Sequence, residues 1–309
     1  MLAPIVVFVY NRPDHAEKMF DSLSACNLAK HSELYIFSDG PKNSDSAQGV
    51  KQVRELINSE RLKELFKSVE VIESEKNNGL ANSVISGVDK VLKKYGRVIV
   101  VEDDCIVAPD FLDYMNAGLE FYEHNPKIWS LGGQTIVKDI PQHYQHDVMV
   151  LGRTCSCAWA TWLDRWQKVD WQVSDYSKFK RSFSRRKQFN EFGADRSIML
   201  DYQMHGLINS WAIRFCYAMF KNGMYTVYPT YSKVQNIGYD GSGTHCAKVC
   251  DSVYAAEIVL QDKSVEFENV ELDPQIAENY RKLFHATRWE LFKRKVKMYF
   301  IIFGLVSNK

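Results

Sequence analysis

The chain has 309 residues, 46% of them hydrophobic and 25% charged, with a formal net charge of +1. That length gives room for one large domain or two small ones with an ample core, and the balanced charge argues against nucleic acid as a partner. Seven cysteines, an odd number in no regular framework, predict a reduced cytoplasmic protein, and Cys155 and Cys157 stand too close for zinc-type spacing.

The amino terminus enters a strand directly, without a basic n-region or a small-residue cleavage site, so no secretory signal is expected. Pro4 to Tyr10 reads as a buried strand, followed by a turn at Asn11-Arg12-Pro13. Pro13-Asp14 opens a helix to about Ala25, because proline suits the first helical turn. Leu34 to Phe37 is a second strand, ending in Ser38-Asp39-Gly40-Pro41, and a long polar helix follows from about Ser46 to Phe66. Val69 to Ile72 is a third strand, and Asn77-Asn78-Gly79 turns into a helix from Leu80 to about Lys94.

The next segment, Val98-Ile-Val-Val-Glu-Asp-Asp-Cys105, is an apolar run that ends in three acids. Four consecutive apolar residues predict a strand buried on both faces. Strand alternation sends Glu102 and Asp104 to one side and Asp103 to the other. Three acids at a buried strand end repel one another unless a positive charge compensates. A divalent cation carrying a phosphorylated ligand is one compensation, since carboxylates are hard oxygen ligands suited to Mg²⁺ or Mn²⁺.

Strands alternating with helices predict an α/β protein with a mostly parallel central sheet flanked by helices. Such sheets bind ligands at the carboxyl ends of their strands. Those ends carry Asn11-Arg12, Asp39-Gly40, Asn77-Asn78-Gly79 and Glu102-Asp103-Asp104, which should converge on one crevice. Neither a GxxxxGK[ST] loop nor a GxGxxG turn follows the first strand, which argues against phosphate-loop and dinucleotide readings. Asp39 can accept from a base edge or ribose, or build an Asx turn before Gly40; Arg12 can approach a base or diphosphate.

Over the first 135 positions the sequence resembles the nucleotide-sugar domain of GT-A glycosyltransferases. It is similar most broadly to family-2 bacterial enzymes and locally to the N-acetylglucosaminyltransferase I group. The likeness is sharpest over Val101-Glu-Asp-Asp-Cys-Ile-Val-Ala-Pro-Asp-Phe-Leu-Asp-Tyr114. The resemblance implies a GT-A fold and a nucleotide-sugar donor, UDP-sugar favoured. It gives Asp104 the metal on the diphosphate, and places Asp103 and Glu102 near ribose and sugar. It also implies that Asn11 and Arg12 contact uracil, that Asp39 recognises the base, and that Asn78 approaches ribose and diphosphate.

The second half must supply the acceptor side. Trp159, Trp162 and Trp166 fall at three- and four-residue spacing, which predicts one helical face, most of it core. The resemblance favours Trp159 as an exposed acceptor-side wall. Asp201, in Met199-Leu-Asp-Tyr-Gln-Met204, resembles the family's catalytic base, with Asp195 and Asp164 as rivals. Inverting transfer needs one carboxylate to take the acceptor hydroxyl proton. Asn236-Ile-Gly-Tyr-Asp-Gly-Ser-Gly-Thr-His245 is glycine-rich enough to pass close to a ligand as a lid, and the resemblance gives His245 the metal or diphosphate.

Further on, Val265 to Leu272 is strand-like and Pro274 to Phe284 helical. From Thr287 a basic amphipathic stretch with Lys293, Arg294, Lys295 and Lys297 runs into an apolar end too short to span a bilayer. It suits either a helix at an anionic membrane surface or one docked on the core. The expected organisation is a nucleotide-sugar subdomain over 1–135, an acceptor-binding and catalytic subdomain over 136–250, and a helical tail over 251–309. The expected function is a metal-dependent inverting glycosyltransferase. It would serve a saccharide or lipid-linked acceptor of bacterial surface polysaccharide, in the cytoplasm or at the inner face of the plasma membrane. A sugar-nucleotide pyrophosphorylase, a retaining transferase of the same fold and a non-catalytic scaffold keeping that fold are the alternatives.

Overall fold

A computed structural model describes residues 1–239, 256–261 and 263–305. The apolar runs of the first half become β1 (Ile5–Val9), β2 (Glu33–Ser38), β3 (Ser68–Glu73) and β4 (Arg97–Glu102), paired in parallel in the order β3-β2-β1-β4. Parallel neighbours need crossovers, supplied by α1 (Pro13–Ser24), α2 (Ser44–Ile57), α3 (Glu60–Leu65) and α4 (Leu80–Tyr95). Where one helix is expected from about Ser46 to Phe66, two form. Asn58 closes α2, and the Ser59 side chain accepts from Leu62 N to start α3 afresh.

The same sheet continues through the second half as β8 (Ala158–Trp162), β6 (Ile128–Gly132), β9 (Tyr225–Pro229) and β7 (Val148–Leu151). Here β6 and β9 run parallel, while β4–β8, β8–β6 and β9–β7 are antiparallel. The sheet is therefore mixed, and it joins residues on both sides of position 135. A separate ribbon pairs β5 (Cys105–Val107) with β10 (Val234–Asn236). Buried Lys233 secures it, its Nζ 2.5 Å from Asp110 at the start of α5 (Phe111–Phe121).

The tryptophan spacing does not make a helical face. Trp159 and Trp162 lie on β8, and Trp166 on the short α6 (Leu163–Trp166). An odd offset on a strand turns the two rings to opposite faces. Trp159 stacks on Trp166 and Trp211, the latter on α10 (Trp211–Lys221), whereas Trp162 Nε1 donates to the Leu119 carbonyl at 3.1 Å.

A smaller core joins α7 (Tyr176–Arg181), α8 (Phe183–Phe189) and α9 (Arg196–Met204) to α10 through Phe179, Phe189, Leu200 and Tyr217. The expected strand over Val265 to Leu272 forms no ladder; Phe267 stacks on Tyr114 instead, with ring centroids 5.4 Å apart. The helices α11 (Pro274–Leu283) and α12 (Arg288–Ile302) follow. Among the described residues no helix is long and apolar enough to cross a membrane.

Candidate active site

The register sets the site. Phe8 pairs with Glu102, so the turn carrying Asn11 and Arg12 emerges beside the acids. Strand alternation does not extend through them, because β4 ends at Glu102 and the chain turns at Asp103 and Asp104 before β5. Both turn carboxylates consequently face one cation. Arg12 Nη2 donates to Oδ1 of Asp103 and, at 2.9 Å, to Oδ2 of Asp104. Burial pushes Asp103 up and the neighbouring Asp104 adds to this; even with Arg12 pulling down, its carboxyl sits at about 6. Glu102 lies well above the usual carboxylate range, through burial and then through Asp104 and Asp103.

The β5–β10 ribbon closes the other side. Asn236 Nδ2 donates to Asp104 Oδ1 at 3.3 Å, and Ile237 N donates to the Asp104 carbonyl at 2.9 Å. Gly238 lies against the same carboxylate: a Cβ there would stand 2.2 Å from Asp104 Oδ2. Only glycine lets the backbone approach so closely. The Cys105 thiol, pushed up to about 12 mainly by burial, stays protonated and points at Asp104 Oδ1 at 3.7 Å.

Asp39 is not an open acceptor. Its carboxylate accepts from Gly40 N at 3.1 Å, from Asn78 N at 2.9 and 3.0 Å, and from Gly79 N at 2.9 Å. Asp39 thus ties the tip of β2 to the turn that starts α4, and the Asx-turn reading of Asp39-Gly40 describes it better than base recognition does. Asn78 spends its own amide on Ser74 Oγ at 2.8 Å. The backbone of Asn11 is covered by α2, where a Cβ on Gly49 would stand 2.4 Å from the Asn11 carbonyl oxygen.

In the second half, Trp159 is 0% exposed and cannot form an acceptor-side wall; its ring fills the core between β8 and α10. Asp201 is buried on α9 with both oxygens engaged. Arg186 donates to Oδ1 at 2.8 Å and Oδ2 at 2.7 Å, and Tyr176 OH donates to Oδ1 at 2.9 Å. Asp195 is held likewise by Arg153, at 2.9 and 3.0 Å. Burial pushes the Asp195 carboxyl up, but Arg153, through charge and hydrogen bonds, brings it below the ordinary range. Asp164 is largely exposed and pairs with Arg165 at 2.7 Å. His245 lies outside the described residues. A hollow of about 530 Å³ opens near Gly96, at the far end of β4 from the acids, and none of these carboxylates except Asp164 lines it.

The sequence profile of glycosyl transferase family 2 matches residues 5–194, more than half of the chain and all of the parallel strands β1 to β4 with their acidic tip. The chain belongs to glycosyl transferase family 2. Its sheet is of the GT-A type. No curated protein matches the chain. Among solved structures it is similar to S. aureus TarS at 13% identity, over 78% of this chain and 37% of that one, with a TM-score of 0.46. It is also similar to S. aureus TarS 1-349 at 13% identity, over 76% and 60%, with a TM-score of 0.45. The chain spans less than two thirds of either.

For a family 2 enzyme the donor set suits a cation delivered with a diphosphate. Among the described residues no three His, Cys, Asp or Glu form a ready-made metal cage. Instead, buried Asp103 and Asp104 already share one cation, the Arg12 guanidinium, and Asp103 remains raised beside it. Mg²⁺ and its like are commonly held by one or two carboxylates plus substrate phosphates, and these residues fit that pattern.

Sequence reasoning missed Asn236 and Gly238 as neighbours of Asp104, and Arg186 and Tyr176 as neighbours of Asp201. The first pair sits within the glycine-rich stretch read as a lid. Its signal was Val234 to Asn236, a three-residue strand able to pair with the equally short Cys105–Val107. The second pair has no local signal, because α7 and α8 meet α9 only through tertiary packing.

Proposed function

We propose that this enzyme transfers a sugar, with inversion, from a UDP-sugar to a saccharide or lipid-linked acceptor of a bacterial surface polysaccharide, at the cytoplasmic face of the membrane. The observation that carries the reading is the Asp103–Asp104 turn, buried at the carboxyl end of the parallel strands and bridged by Arg12. Asp104, with Asp103, would hold Mn²⁺ or Mg²⁺, and His245 is assigned to the same ion. When bound, the ion offsets negative charge on the departing diphosphate.

Around it, Arg12 leaves the carboxylates to meet donor phosphate, and Glu102 lies at the sugar. Asp39 orders the turn that brings Asn78 and the amino end of α4 to the nucleotide, and Asn11 lies beside the base. The general base is Asp201, buried and outside the acid cluster. It accepts the acceptor proton once Arg186 releases one of its oxygens. Asp195, the rival, stays paired with Arg153.

A screen of nucleotide-sugars for hydrolysis, with and without Mn²⁺, tests this. Release of UDP from one UDP-sugar only when Mn²⁺ is present is expected. Equal turnover in EDTA, or a preference for nucleoside triphosphate and sugar phosphate, would overturn it.

A further inference from the structure

Two elements outside the acid cluster, α7–α8 and α12, carry exposed aromatic side chains beside cations. Residues 176–189, which form α7 and α8, contain six cations and no acid in a chain whose net charge is only +1; Arg186 is spent on Asp201, and the other five are exposed. Phe183, at their junction, is 82% exposed. On α12, the run Lys293-Arg294-Lys295 and Lys297 follow Phe292 and flank Val296, and the single acid, Glu290, is spent on the amino-terminal capping box with Thr287. Trp289 and Phe292 are 64% and 55% exposed and stack on each other at 5.5 Å; Phe303, just beyond the helix, is 72% exposed. A helix that packs on a core turns its large side chains inward; among the described side chains of α12, Met298 is the one buried.

The two elements are neighbours. Tyr202 OH on α9 donates to the Arg294 carbonyl at 3.0 Å, which ties α12 to the helix carrying Asp201. Lys180 Nζ lies 3.5 Å from His205 Nε2 at the end of that helix. Tyr299 on α12 is close enough to Arg186 and Tyr176, the partners of Asp201, to interact with them electrostatically. Asp201 is therefore flanked by α7–α8 and by α12.

We propose that α7–α8 and α12 together form one docking face for an anionic phospholipid bilayer. Cations interleaved with exposed aromatics are what such a surface binds: the charges meet the headgroups while Phe183, Trp289, Phe292 and Phe303 enter the interface. The face adds a second element to the basic tail and sets Asp201 directly behind the membrane contact. Its purpose, bringing a lipid-linked acceptor to Asp201, rests on the glycosyltransferase reading; the binding itself does not.

The test is co-sedimentation of the full chain with vesicles of phosphatidylcholine, alone or mixed with anionic phosphatidylglycerol, at low and high salt. Binding to the anionic vesicles at low salt, with little to neutral ones, is expected. Lys293→Gln with Lys297→Gln, and separately Arg181→Gln with Lys187→Gln, should each weaken it by about fivefold per cation removed. Phe183→Ser and Trp289→Ser should weaken the binding that survives high salt, and Trp289 fluorescence should shift to the blue on binding.

Failure of wild-type protein to bind anionic vesicles at low salt overturns the proposal. So does concentration-dependent self-association that the same substitutions abolish without any vesicle binding. Loss through the α12 pair alone, with the α7–α8 pair binding like wild type and all variants melting alike, overturns the joint face. Vesicle binding by a protein that hydrolyses no nucleotide-sugar leaves the face standing and removes the donor reading.

Discussion

Arg12 donates to Asp104 across the tips of β1 and β4 at 2.9 Å, and the same nitrogen reaches Asp103. In the free enzyme this guanidinium supplies the positive charge that three crowded acids require. Arg12→Met should therefore raise Mn²⁺ affinity in the absence of nucleotide by about tenfold, since a competing cation worth about 1.4 kcal/mol is gone. Donor affinity should fall in the same variant. Calorimetric titration of Mn²⁺ checks the first effect and titration of UDP the second; unchanged Mn²⁺ affinity would show that Arg12 does not compete.

Gly238 should tolerate no side chain. A methyl 2.2 Å from Asp104 Oδ2 must push either the ribbon or the carboxylate away. Gly238→Ala is expected to cut turnover by about 10²-fold, the scale of a 1 Å misplacement, with the melting temperature nearly unchanged. Steady-state kinetics beside a thermal melt decides it, and full activity would mean that Asp104 is free to move.

Asp201→Asn keeps the shape of the side chain but cannot take a proton. Turnover should fall by about 10²–10⁴-fold while donor affinity stays near normal. The matching Asp195→Asn variant should keep most of its turnover. The reverse ranking in single-turnover experiments would move the base to Asp195.

Asp195 should instead govern acid stability. Its folded carboxyl lies below its unfolded value, so its contribution is complete above the unfolded value near 4 (about 3.9). That contribution is lost as pH falls through the lowered folded value. Asp195→Asn should be less stable at pH 7, and the difference from wild type should shrink progressively as the solution becomes acid. Denaturant melts at several pH values would show it; a difference independent of pH would contradict the Arg153 pairing.

The parallel half was legible because β1, β2 and β4 hold apolar runs, β3 alternates over Val69 to Ile72, and the crossovers have helical starts, from Pro13 in α1 to Gly79 before α4. The acidic tip was legible for the same reason, but its geometry was not: alternation assigns Asp103 to the far side, and only the turn into β5 brings it to Arg12. Trp159 misled because offsets of three and seven fit a helix, while the pairing that decides its state lies between β4 and β8, far apart in sequence. Asp39 shows another limit. A carboxylate at a strand tip looks available until the loop of a neighbouring strand, here Asn78 and Gly79, is seen to occupy it.

In the proposed mechanism, Asp104 holds the cation that carries the donor diphosphate. Titration of UDP into wild type and Asp104→Ala, in Mn²⁺ and in EDTA, tests it most directly. Wild type should bind UDP only with Mn²⁺, and Asp104→Ala should lose that metal-dependent binding while melting at or above the wild-type temperature, because removing one acid relieves repulsion in the cluster. Retention of Mn²⁺-dependent UDP binding by Asp104→Ala, or full transfer activity of this variant in EDTA, would show that Asp104 holds no such ion.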